Sequence, residues 1–171
     1  MKIWIYIASF LAAIAIGHAA VVVGAPYLIM GVAIKKVSRG GTEVNHFVFG
    51  PRTTEASRQI VRPSPDLAYA TCAFDLSHGP VHVSAKPWDD YMSISVFQAN
   101  GDNIYAVNDR QAPQGVDFIL ARRGQATPAG KLVVISPTDR GIILDRRLTP
   151  TQQRFALADE VRRSDQCAPL N

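Results

Sequence analysis

The sequence lacks the short patterns that mark the common catalytic and cofactor sites. It contains no Gly-x-Ser-x-Gly nucleophile turn, no His-Glu-x-x-His motif, no phosphate-binding glycine loop and no Cys-x-x-Cys pair. His78 and His82 are four residues apart, but Gly79-Pro80 between them predicts a turn rather than a helix presenting both rings to one metal. We therefore expect no metal and no cofactor, and no catalytic residue can be assigned.

Excess positive charge is missing from most of the chain. The formal net charge is +4, but Lys2, Lys35 and Lys36 flank an apolar segment. Beyond Lys36 there are 15 Lys and Arg against 14 Asp and Glu, an excess of only +1 (15 − 14). A nucleic-acid-binding domain needs a basic stripe on its folded part, so this balance argues against that class. We interpret the arginine pairs as solvated surface positions: Arg122-Arg123, Arg146-Arg147 and Arg162-Arg163.

Cysteine is scarce, with only Cys72 and Cys167 in the chain. The alternation of residues 69–76 places Cys72 on the core-facing side of a strand, and Cys167 lies in the tail after the last predicted helix. In an exported protein the two would form a disulfide closing a loop of roughly a hundred residues, which would contribute about 4–5 kcal/mol. The alternative is two unpaired thiols, one buried and one in a loose tail.

A long apolar run is the most prominent feature that the sequence does have. Residues 3–34 contain no formally charged side chain. About 20 such residues, at about 1.5 Å each, suffice to cross a hydrocarbon core of roughly 30 Å. Trp4, Tyr6 and Tyr27 lie near its ends, where aromatic rings favour the membrane interface, and Pro26 predicts a bend or an end of the helix. We predict a transmembrane helix over residues 1–34 and a linker over residues 35–44.

The fate and the orientation of this segment stay open at the sequence level. Gly17-His18-Ala19 resembles a small-x-small cleavage site, so residues 1–20 are either a removable signal or part of a retained anchor. Lys35, Lys36 and Arg39 outnumber Lys2, which by the positive-inside rule favours a cytoplasmic domain. Short N-terminal apolar segments nevertheless commonly export the domain that they precede. We predict a single-pass inner-membrane protein with a periplasmic domain.

Small residues recur on one side of the predicted helix. Ala13 and Gly17, and then Ala20 and Gly24, have the small-xxx-small spacing that lets helix backbones approach closely in lipid. This pattern predicts packing against a second helix. The alternative is that alanine and glycine are simply frequent in such helices.

The remainder of the chain has the pattern of a mainly β domain. We predict strands over residues 69–76, 81–85, 92–98, 103–108, 117–121, 131–136 and 141–144, separated by glycine and proline. Such short, evenly spaced strands favour an antiparallel sandwich or barrel over residues 45–171. A short C-terminal helix is predicted from a Thr149 cap with Pro150 at its first position, and it ends near residue 163. Four of its side chains are expected to lie on the sheet: Phe155, Leu157, Ala158 and Val161.

Six polar and aromatic residues form the best candidate ligand site. They are Arg62, Asp66, Tyr69, Asp102, Asn103 and Tyr105. An arginine and a carboxylate beside aromatic rings can clamp a polar group of a ligand. The alternative is structural, with Asp66 capping a turn, Arg62 neutralising it and the Asp102-Asn103 pair closing a tight loop.

Several of these residues belong to a recognisable signature. Its pieces are Arg62-x-x-x-Asp66-x-x-Tyr69, Phe74-Asp75-Leu76-Ser77-x-Gly79-Pro80 and the strand–loop–strand of residues 91–108. On these pieces the chain resembles the bacterial family called domain of unknown function 1254, over roughly residues 27–148. Ser64 and Leu67 stand where many members carry Asn and Thr.

The resemblance implies a manner of working rather than an activity. Long relatives are fused to a second β domain, of a family numbered 1214, whereas this chain resembles a short membrane-anchored form. That form implies a separate partner protein, of family 1214 type, contacted through the transmembrane helix and a sheet surface. We expect a binding or assembly subunit in the cell envelope. The alternative is a small-molecule hydrolase or a binder of lipid or another hydrophobic ligand, with its site around Arg62, Asp66 and Tyr69.

Overall fold

An apolar helix, two β-sheets and a short second helix make up the computed structural model, which describes residues 2–58 and 62–170. In chain order the elements are α1 (Lys2–Val37), β1 (Phe47–Phe49), β2 (Leu67–Asp75), β3 (Val81–Ala85), β4 (Met92–Gln98), β5 (Asn103–Asn108), β6 (Val116–Arg122), β7 (Val133–Ser136), β8 (Arg140–Leu148), α2 (Gln152–Arg162) and β9 (Gln166–Pro169). The predicted fold class is confirmed: a mainly β domain, preceded by a long apolar helix and carrying a short helix near its C-terminal end.

Helix α1 is long and apolar enough to cross a membrane over Ile3–Val37, and its most apolar stretch is not buried in the protein. The helix continues through Pro26 and ends at Val37, so of the two effects considered for Pro26, a bend or an end, the helix does not end there. Proline removes one backbone donor from the ladder, but neighbouring groups of an apolar helix accommodate that loss. The basic residues Lys35 and Lys36 therefore form the last turn of the helix rather than a linker.

Sheet A contains five strands in the order β1-β2-β8-β4-β5, and all its neighbours pair antiparallel. The central strand β8 runs through Leu148, four residues beyond its predicted end. Alternate residues on β2, β4 and β8 face sheet B, and Cys72, Ile94 and Ile143 on this side are fully buried. We call the opposite side the outer face of sheet A.

Sheet B contains four strands in the order β7-β6-β3-β9. Strand β7 pairs with β6 in parallel, while β6–β3 and β3–β9 are antiparallel. Val83, Phe118 and Leu120 bury their side chains against sheet A, and the two inner faces form one hydrophobic core. Strand β9 was not predicted, because its four residues are too few for an alternation to be detected.

Helix α2 begins slightly later in the chain than predicted. Thr151 is its cap and accepts a hydrogen bond from the Arg154 backbone N–H, whereas the Thr149 N–H donates to the Asp66 carbonyl at 2.7 Å and extends the β2–β8 pairing. The predicted Thr149 cap was therefore wrong. The buried side chains of α2 are Ala158 and Arg162, and Leu157 is 47% exposed, contrary to the expected apolar face.

The C-terminal end of α1 packs on the outer face of sheet A. Met30 and Ala33 are buried there against Ile142, and Phe97 is packed beside them. Ile142 lies near the start of β8 and Phe97 near the end of β4, and the two are paired in the register. Helix α1 thus contacts the sheet at the end where β8 begins.

Candidate functional site

The structure places the six predicted ligand-binding residues at two ends of sheet A. Arg62 and Asp66 precede β2, whose first residue pairs with the last residue of β8. That end of β8 pairs with the start of β4, whereas Asp102 and Asn103 follow the end of β4. The seven residues of β4 span roughly 20 Å at about 3.3 Å per residue. The strand order therefore does not bring the two groups together.

The contacts of these residues serve their own turns and strands. The Tyr69 hydroxyl accepts a hydrogen bond from the Ser64 N–H at 2.8 Å, and Asn103 Oδ1 accepts one from the Tyr105 N–H at 3.1 Å. The Asp102 carboxylate accepts from the Gln98 and Asn100 amides. The Tyr105 ring packs on Phe118 with centroids 5.1 Å apart, and burial raises the pKa of the Tyr105 hydroxyl. A ligand-binding role for the set stays a prediction.

A cleft of about 590 Å³ opens at the end of sheet A where β4 begins. One wall is the loop from β3 to β4, and the other is the loop after β5. The lining consists of Pro87, Trp88, Asp89, Asp90, Tyr91, Met92, Asn108, Asp109, Arg110, Ala112 and Pro113. We call it the loop cleft. From the sequence, the first wall was predicted only as a turn. The tryptophan followed by two aspartates in it was a signal that this turn has a further role.

The first wall of the loop cleft is attached to the C-terminal part of the chain. The Trp88 indole N–H donates to the Leu148 carbonyl at 3.1 Å. The Arg154 guanidinium lies 4.4 Å from the centre of the Trp88 ring and holds Asp89 with two hydrogen bonds of 2.7 and 2.9 Å. A cation over an indole ring and a bidentate arginine–carboxylate pair are both directional contacts. Together they fix the position of Trp88 relative to α2.

The second wall is attached to the strand at the bottom of the cleft. Asp109 donates its backbone N–H to the Met92 carbonyl at 3.0 Å, and its carboxylate accepts from the Met92 N–H at 3.3 Å. Gly115 ends this wall with a φ of +93°, and a Cβ there would meet the Ala85 carbonyl oxygen at 2.5 Å. Only glycine allows that close approach of the two loops.

A buried ion pair holds the start of the first wall of the loop cleft. Arg147 and Asp165 are joined at 2.6 Å, and both side chains are fully buried. Arg147 also donates to the Lys86 carbonyl at 3.1 Å, and Asp165 accepts from the Lys86 N–H at 2.8 Å. Lys86 is the first residue after β3, so the pair holds the start of the wall by both of its backbone groups. The surface position expected for Arg147 was wrong, because the register of β8 turns it inward opposite Met92.

A second buried arginine closes the edge of sheet A. Arg162 has a fully buried side chain and donates to the carbonyls of Tyr69 and Gly50 at 2.6 Å each, while Asp159 supplies its counter-charge. Its guanidinium lies 5.2 Å from the Phe155 ring centre. The surface position expected for Arg162 was also wrong. A short helix with few apolar residues uses this arginine as its link to the sheet.

Asp145 is the third acidic member of this cluster and differs from the others. Its carboxylate is fully buried, and neither oxygen has a hydrogen-bond partner among residues 2–58 and 62–170. Arg147 Nε lies 3.3 Å from one oxygen, within ion-pair distance but without hydrogen-bond alignment. Burial raises the pKa of Asp145 to about 7, and the nearby Asp165 charge acts in the same direction against the attraction of Arg147. Since Asp159 and Asp165 already balance the two buried guanidinium groups, Asp145 is the surplus acid.

The carboxylates of the loop cleft are engaged in structure. The Arg154 hydrogen bonds lower the pKa of Asp89, and Asp90 accepts a hydrogen bond from the Tyr91 N–H at 2.8 Å. A carboxylate that is ionised and paired is a poor proton donor or acceptor at neutral pH, but it can fix the charge and shape of a binding surface. In the described ranges no three His, Cys, Asp or Glu side chains are grouped as a metal site.

Two further predicted features have definite positions. Cys72 of β2 and Cys167 of β9 are joined by a disulfide, with their Cα atoms 6.5 Å apart, so the bond links sheet A to sheet B.

On α1, nothing lies within 4 Å of a Cβ built at Gly17 or Gly24, and Ala13 and Ala20 are exposed. The small-residue side of α1 is thus uncovered in the single chain, and its packing against another helix stays a prediction.

These features define a class of protein, namely a two-sheet β domain that carries a long apolar helix and presents a cleft between two loops. The profile of DUF1254, a protein family of unknown function, matches residues 44–169. The chain belongs to this family, as the signature around Arg62, Asp66 and Tyr69 had indicated. No curated protein matches the chain.

Solved structures share the fold at low sequence identity. The VPA0106 protein from Vibrio parahaemolyticus is similar with a TM-score of 0.60 and 16% identity, over 85% of this chain and 37% of that one. An uncharacterized protein from Burkholderia cenocepacia is similar with a TM-score of 0.50 and 17% identity, over 70% of this chain and 35% of that one. The chain therefore spans a little over a third of the length of these two proteins, and the likeness concerns the fold alone.

Proposed function

We propose that the protein is a membrane-anchored binding or assembly subunit of the bacterial cell envelope, and that it recognises a partner protein at the loop cleft. The observation that carries this proposal is the fixed geometry of the cleft. Trp88 is held by the Leu148 carbonyl and by Arg154, and the loop start at Lys86 is held by the Arg147–Asp165 pair. A cleft that does not have to be ordered on binding loses less conformational entropy when a partner enters.

The composition of the cleft suits protein recognition. Trp88 and Tyr91 offer aromatic surface, and Tyr91 is 39% exposed. Arg110 supplies an exposed cation beside the cleft aspartates. Tryptophan, tyrosine and arginine are the residues that contribute most to binding at protein interfaces. The hydrolase alternative stays a prediction: Arg62, Asp66 and Tyr69 lie together at one end of sheet A, while Asp102 follows the other end of β4.

Attachment to a membrane is supported by α1, whose most apolar stretch is not buried in the protein. Export of the domain is supported by the Cys72–Cys167 disulfide, since such bonds persist in oxidising compartments and are rare in the cytosol. We therefore propose an inner-membrane anchor with the domain in the periplasm. The partner proposed is a protein of family 1214 type, contacted through the cleft and through the small-residue side of α1.

Purification of the full chain from a mild detergent tests this function. A companion protein in fixed stoichiometry is expected with the wild type, and Tyr91→Ala and Arg110→Glu should each weaken its recovery about 10-fold or more. Arg123→Glu is the matched control, because Arg123 is exposed after β6 on the other sheet. A monodisperse single chain without companion would contradict the proposal, as would equal recovery from the cleft variants and the control.

A further inference from the structure

A second cavity lies beside the C-terminal end of α1. It has a volume of about 180 Å³, and its lining consists of Arg39, Glu43, His46, Phe47, Val48, Phe49 and Arg163. We call it the helix-end cavity. It shares no lining residue with the loop cleft. At about 30 Å³ for each water, its volume corresponds to roughly six waters, so a small polar group has room to enter.

Positive charge exceeds negative charge at the helix-end cavity. Arg39 and Arg163 are exposed, and Glu43 lies 3.7 Å from Arg39, within ion-pair distance but too far for a hydrogen bond. Asp159 is shared between Arg163, at 3.0 Å, and the buried Arg162. Three guanidinium groups thus form ion pairs with two carboxylates among the described residues, which leaves an excess of one positive charge.

The side chains that carry this charge have donors to spare. Arg163 lies over the Phe49 ring, with its guanidinium carbon 4.9 Å from the ring centre, and donates to Asp159 from Nε and Nη2. Its Nη1, the Arg39 guanidinium and the His46 ring form no hydrogen bond to a described residue. Guanidinium groups match the geometry of phosphate, and an imidazole N–H adds a further donor. The lining is therefore a donor set for a phosphate.

The backbone that carries these donors is fixed. The Ser38 carbonyl accepts from the Gly41 and Glu43 N–H groups, both at 2.9 Å, so the turn after α1 is closed onto the end of the helix. The Asn45 side chain donates to the Asp75 carbonyl at 2.9 Å and accepts from the Asp75 N–H at 2.8 Å. The predicted linker is thus an ordered connection between α1 and sheet A. Its backbone does not have to be ordered when a ligand binds.

The end of α1 also sets the level of the cavity relative to a membrane. Ile29 and Val32 are exposed apolar side chains of α1, and Lys35 and Lys36 follow in its last turn. In a membrane-spanning helix such a change from apolar to basic residues marks the interface, where lysine side chains reach the headgroups. Arg39 follows Lys36 by three residues. In a membrane-anchored chain, the helix-end cavity therefore lies beside the lipid headgroups.

We propose that the helix-end cavity binds a phosphate group, and that the headgroup of an anionic phospholipid supplies it. Arg39, Arg163 and His46 donate hydrogen bonds to the phosphate oxygens, and the excess positive charge attracts the anionic headgroup. The lipid source rests on the proposed membrane anchor, whereas a soluble phosphate offers the same chemistry without it. A headgroup bound here gives the domain a second attachment to the membrane besides α1, and it thereby orients the domain on the bilayer.

The test measures ligand binding to the full chain in a maltoside detergent, which contains no phosphate. Native mass spectrometry is expected to show one phosphatidylglycerol bound saturably to each chain. The double variant Arg39→Gln with Arg163→Gln should weaken this binding about 10-fold or more. The charge-matched control is Arg123→Gln with Lys131→Gln, two exposed positions beside strands of sheet B, and it should bind as the wild type does.

Glu43→Gln supplies a change in the opposite direction. It removes the acid that lines the cavity, so phosphatidylglycerol should bind roughly 2–5-fold more tightly than to the wild type. A misfolded variant cannot produce this gain. Binding that is unchanged or weaker in Glu43→Gln would contradict an anion site between Arg39 and Arg163.

Thermal unfolding with inorganic phosphate in place of lipid identifies the source. A lipid headgroup is indicated if phosphatidylglycerol stabilises the chain at a concentration about 10-fold or more below that of inorganic phosphate. An equal response to inorganic phosphate, lost in the double variant, indicates a soluble phosphate. The proposal is overturned if neither ligand binds, or if the double variant and the sheet B control bind both ligands alike.

Failure of this site and failure of the proposed function give different results. Carbonate extraction that releases a chain still able to bind inorganic phosphate contradicts the membrane anchor and leaves the cavity as a phosphate site. Recovery of the companion protein should be unchanged in the double variant, because the loop cleft is intact. A chain that stays in the membrane and keeps its companion, yet binds neither ligand, contradicts the helix-end cavity alone.

Discussion

At the residue scale, one buried acid sets how the stability of the domain responds to pH. Asp145 has a folded-state pKa of about 7 against an ordinary value of 3.8, because burial disfavours its charged form. Between these two values the folded chain holds a proton that the unfolded chain has lost. The stability that Asp145 contributes is therefore fully present below about pH 4 and is lost as the pH rises through about 7.

Replacement of Asp145 by asparagine should remove this dependence. Asn keeps the shape of the neutral acid, so Asp145→Asn is expected to match the wild type near pH 4 and to exceed it above pH 7 by roughly 2–4 kcal/mol, at about 1.36 kcal/mol per pKa unit. Denaturant unfolding of the full chain in detergent between these pH values measures the difference. Parallel pH curves for the two proteins would show that Asp145 is ionised in the fold.

The same cluster shows where residue-level prediction fails. The core positions Cys72 and Phe74 followed from alternation, and both are buried. Arg147 and Arg162 were expected at the surface, since a charged side chain is almost never fully buried without a partner and the partners could not be identified from sequence. Asp159 lies three residues before Arg162, but Asp165 lies 18 residues after Arg147. No local pattern predicts the Arg147–Asp165 pair.

At the element scale, the C-terminal strand β9 depends on a covalent link. It has four residues, pairs with β3 alone among the described strands and carries Cys167, which is bonded to Cys72 of the other sheet. A strand this short contributes little through its own pairing. The disulfide, which spans 95 residues, therefore determines how firmly the end of the chain is held.

Loss of the disulfide should destabilise the domain and free β9 first. The variant with both Cys72→Ala and Cys167→Ala is expected to lose about 4–5 kcal/mol of unfolding free energy in the chain-entropy account. Hydrogen exchange should accelerate most at the amides of β9 and at those of β3 that bond to it. An unchanged unfolding midpoint, or acceleration spread evenly over both sheets, would contradict this role.

Helix α2 supplies a matched pair of substitutions. Ala158 is fully buried under the helix, whereas Leu157 beside it is 47% exposed. Ala158→Leu should destabilise the domain by about 1–3 kcal/mol through overpacking, and Leu157→Ala should change stability by no more than about 0.5 kcal/mol. Thermal unfolding of both variants checks this. A larger loss of stability from Leu157→Ala than from Ala158→Leu would show that Leu157 lies on the buried face of α2, as the sequence pattern had predicted.

Strand prediction succeeded where turns were explicit and failed where they were not. Glycine and proline bound β3, and the Asn-Gly-Asp turn separates β4 from β5, so the three strands have the predicted bounds. Strand β8 was predicted to end at Leu144, and three charged residues follow, yet the strand continues to Leu148 with Asp145 and Arg147 buried. The loop cleft was not predicted, since it forms only when the loops after β3 and β5 meet at one end of the sheet.

At the scale of the whole molecule, α1 and the loop cleft lie at opposite ends of sheet A. The helix contacts the end of the sheet where β8 begins, and the loop cleft opens at the end where β8 finishes. A ligand or partner in the cleft therefore does not compete with the helix contact. This arrangement suits a domain that is held at one end and binds at the other.

Reporter fusions test the proposed location. The proposed export predicts that alkaline phosphatase fused to the C-terminus is active and that a green fluorescent protein fusion is dark. The proposed membrane span predicts that the chain resists carbonate extraction, because α1 is long and apolar enough to cross the bilayer. An inactive phosphatase with a bright fluorescent fusion would place the domain in the cytoplasm, and release into the soluble fraction would show that the apolar segment is removed.

Site-specific cross-linking in intact cells tests the central claim most directly. A photo-reactive amino acid placed at Tyr91 in the loop cleft should yield one discrete cross-linked product with a partner protein, whereas the same group at the exposed Arg123 should yield none. The account predicts that this product disappears when Arg110→Glu is added. Equal products from Tyr91 and Arg123, or none from Tyr91 while the chain is folded and membrane-bound, would show that the loop cleft is not the binding surface.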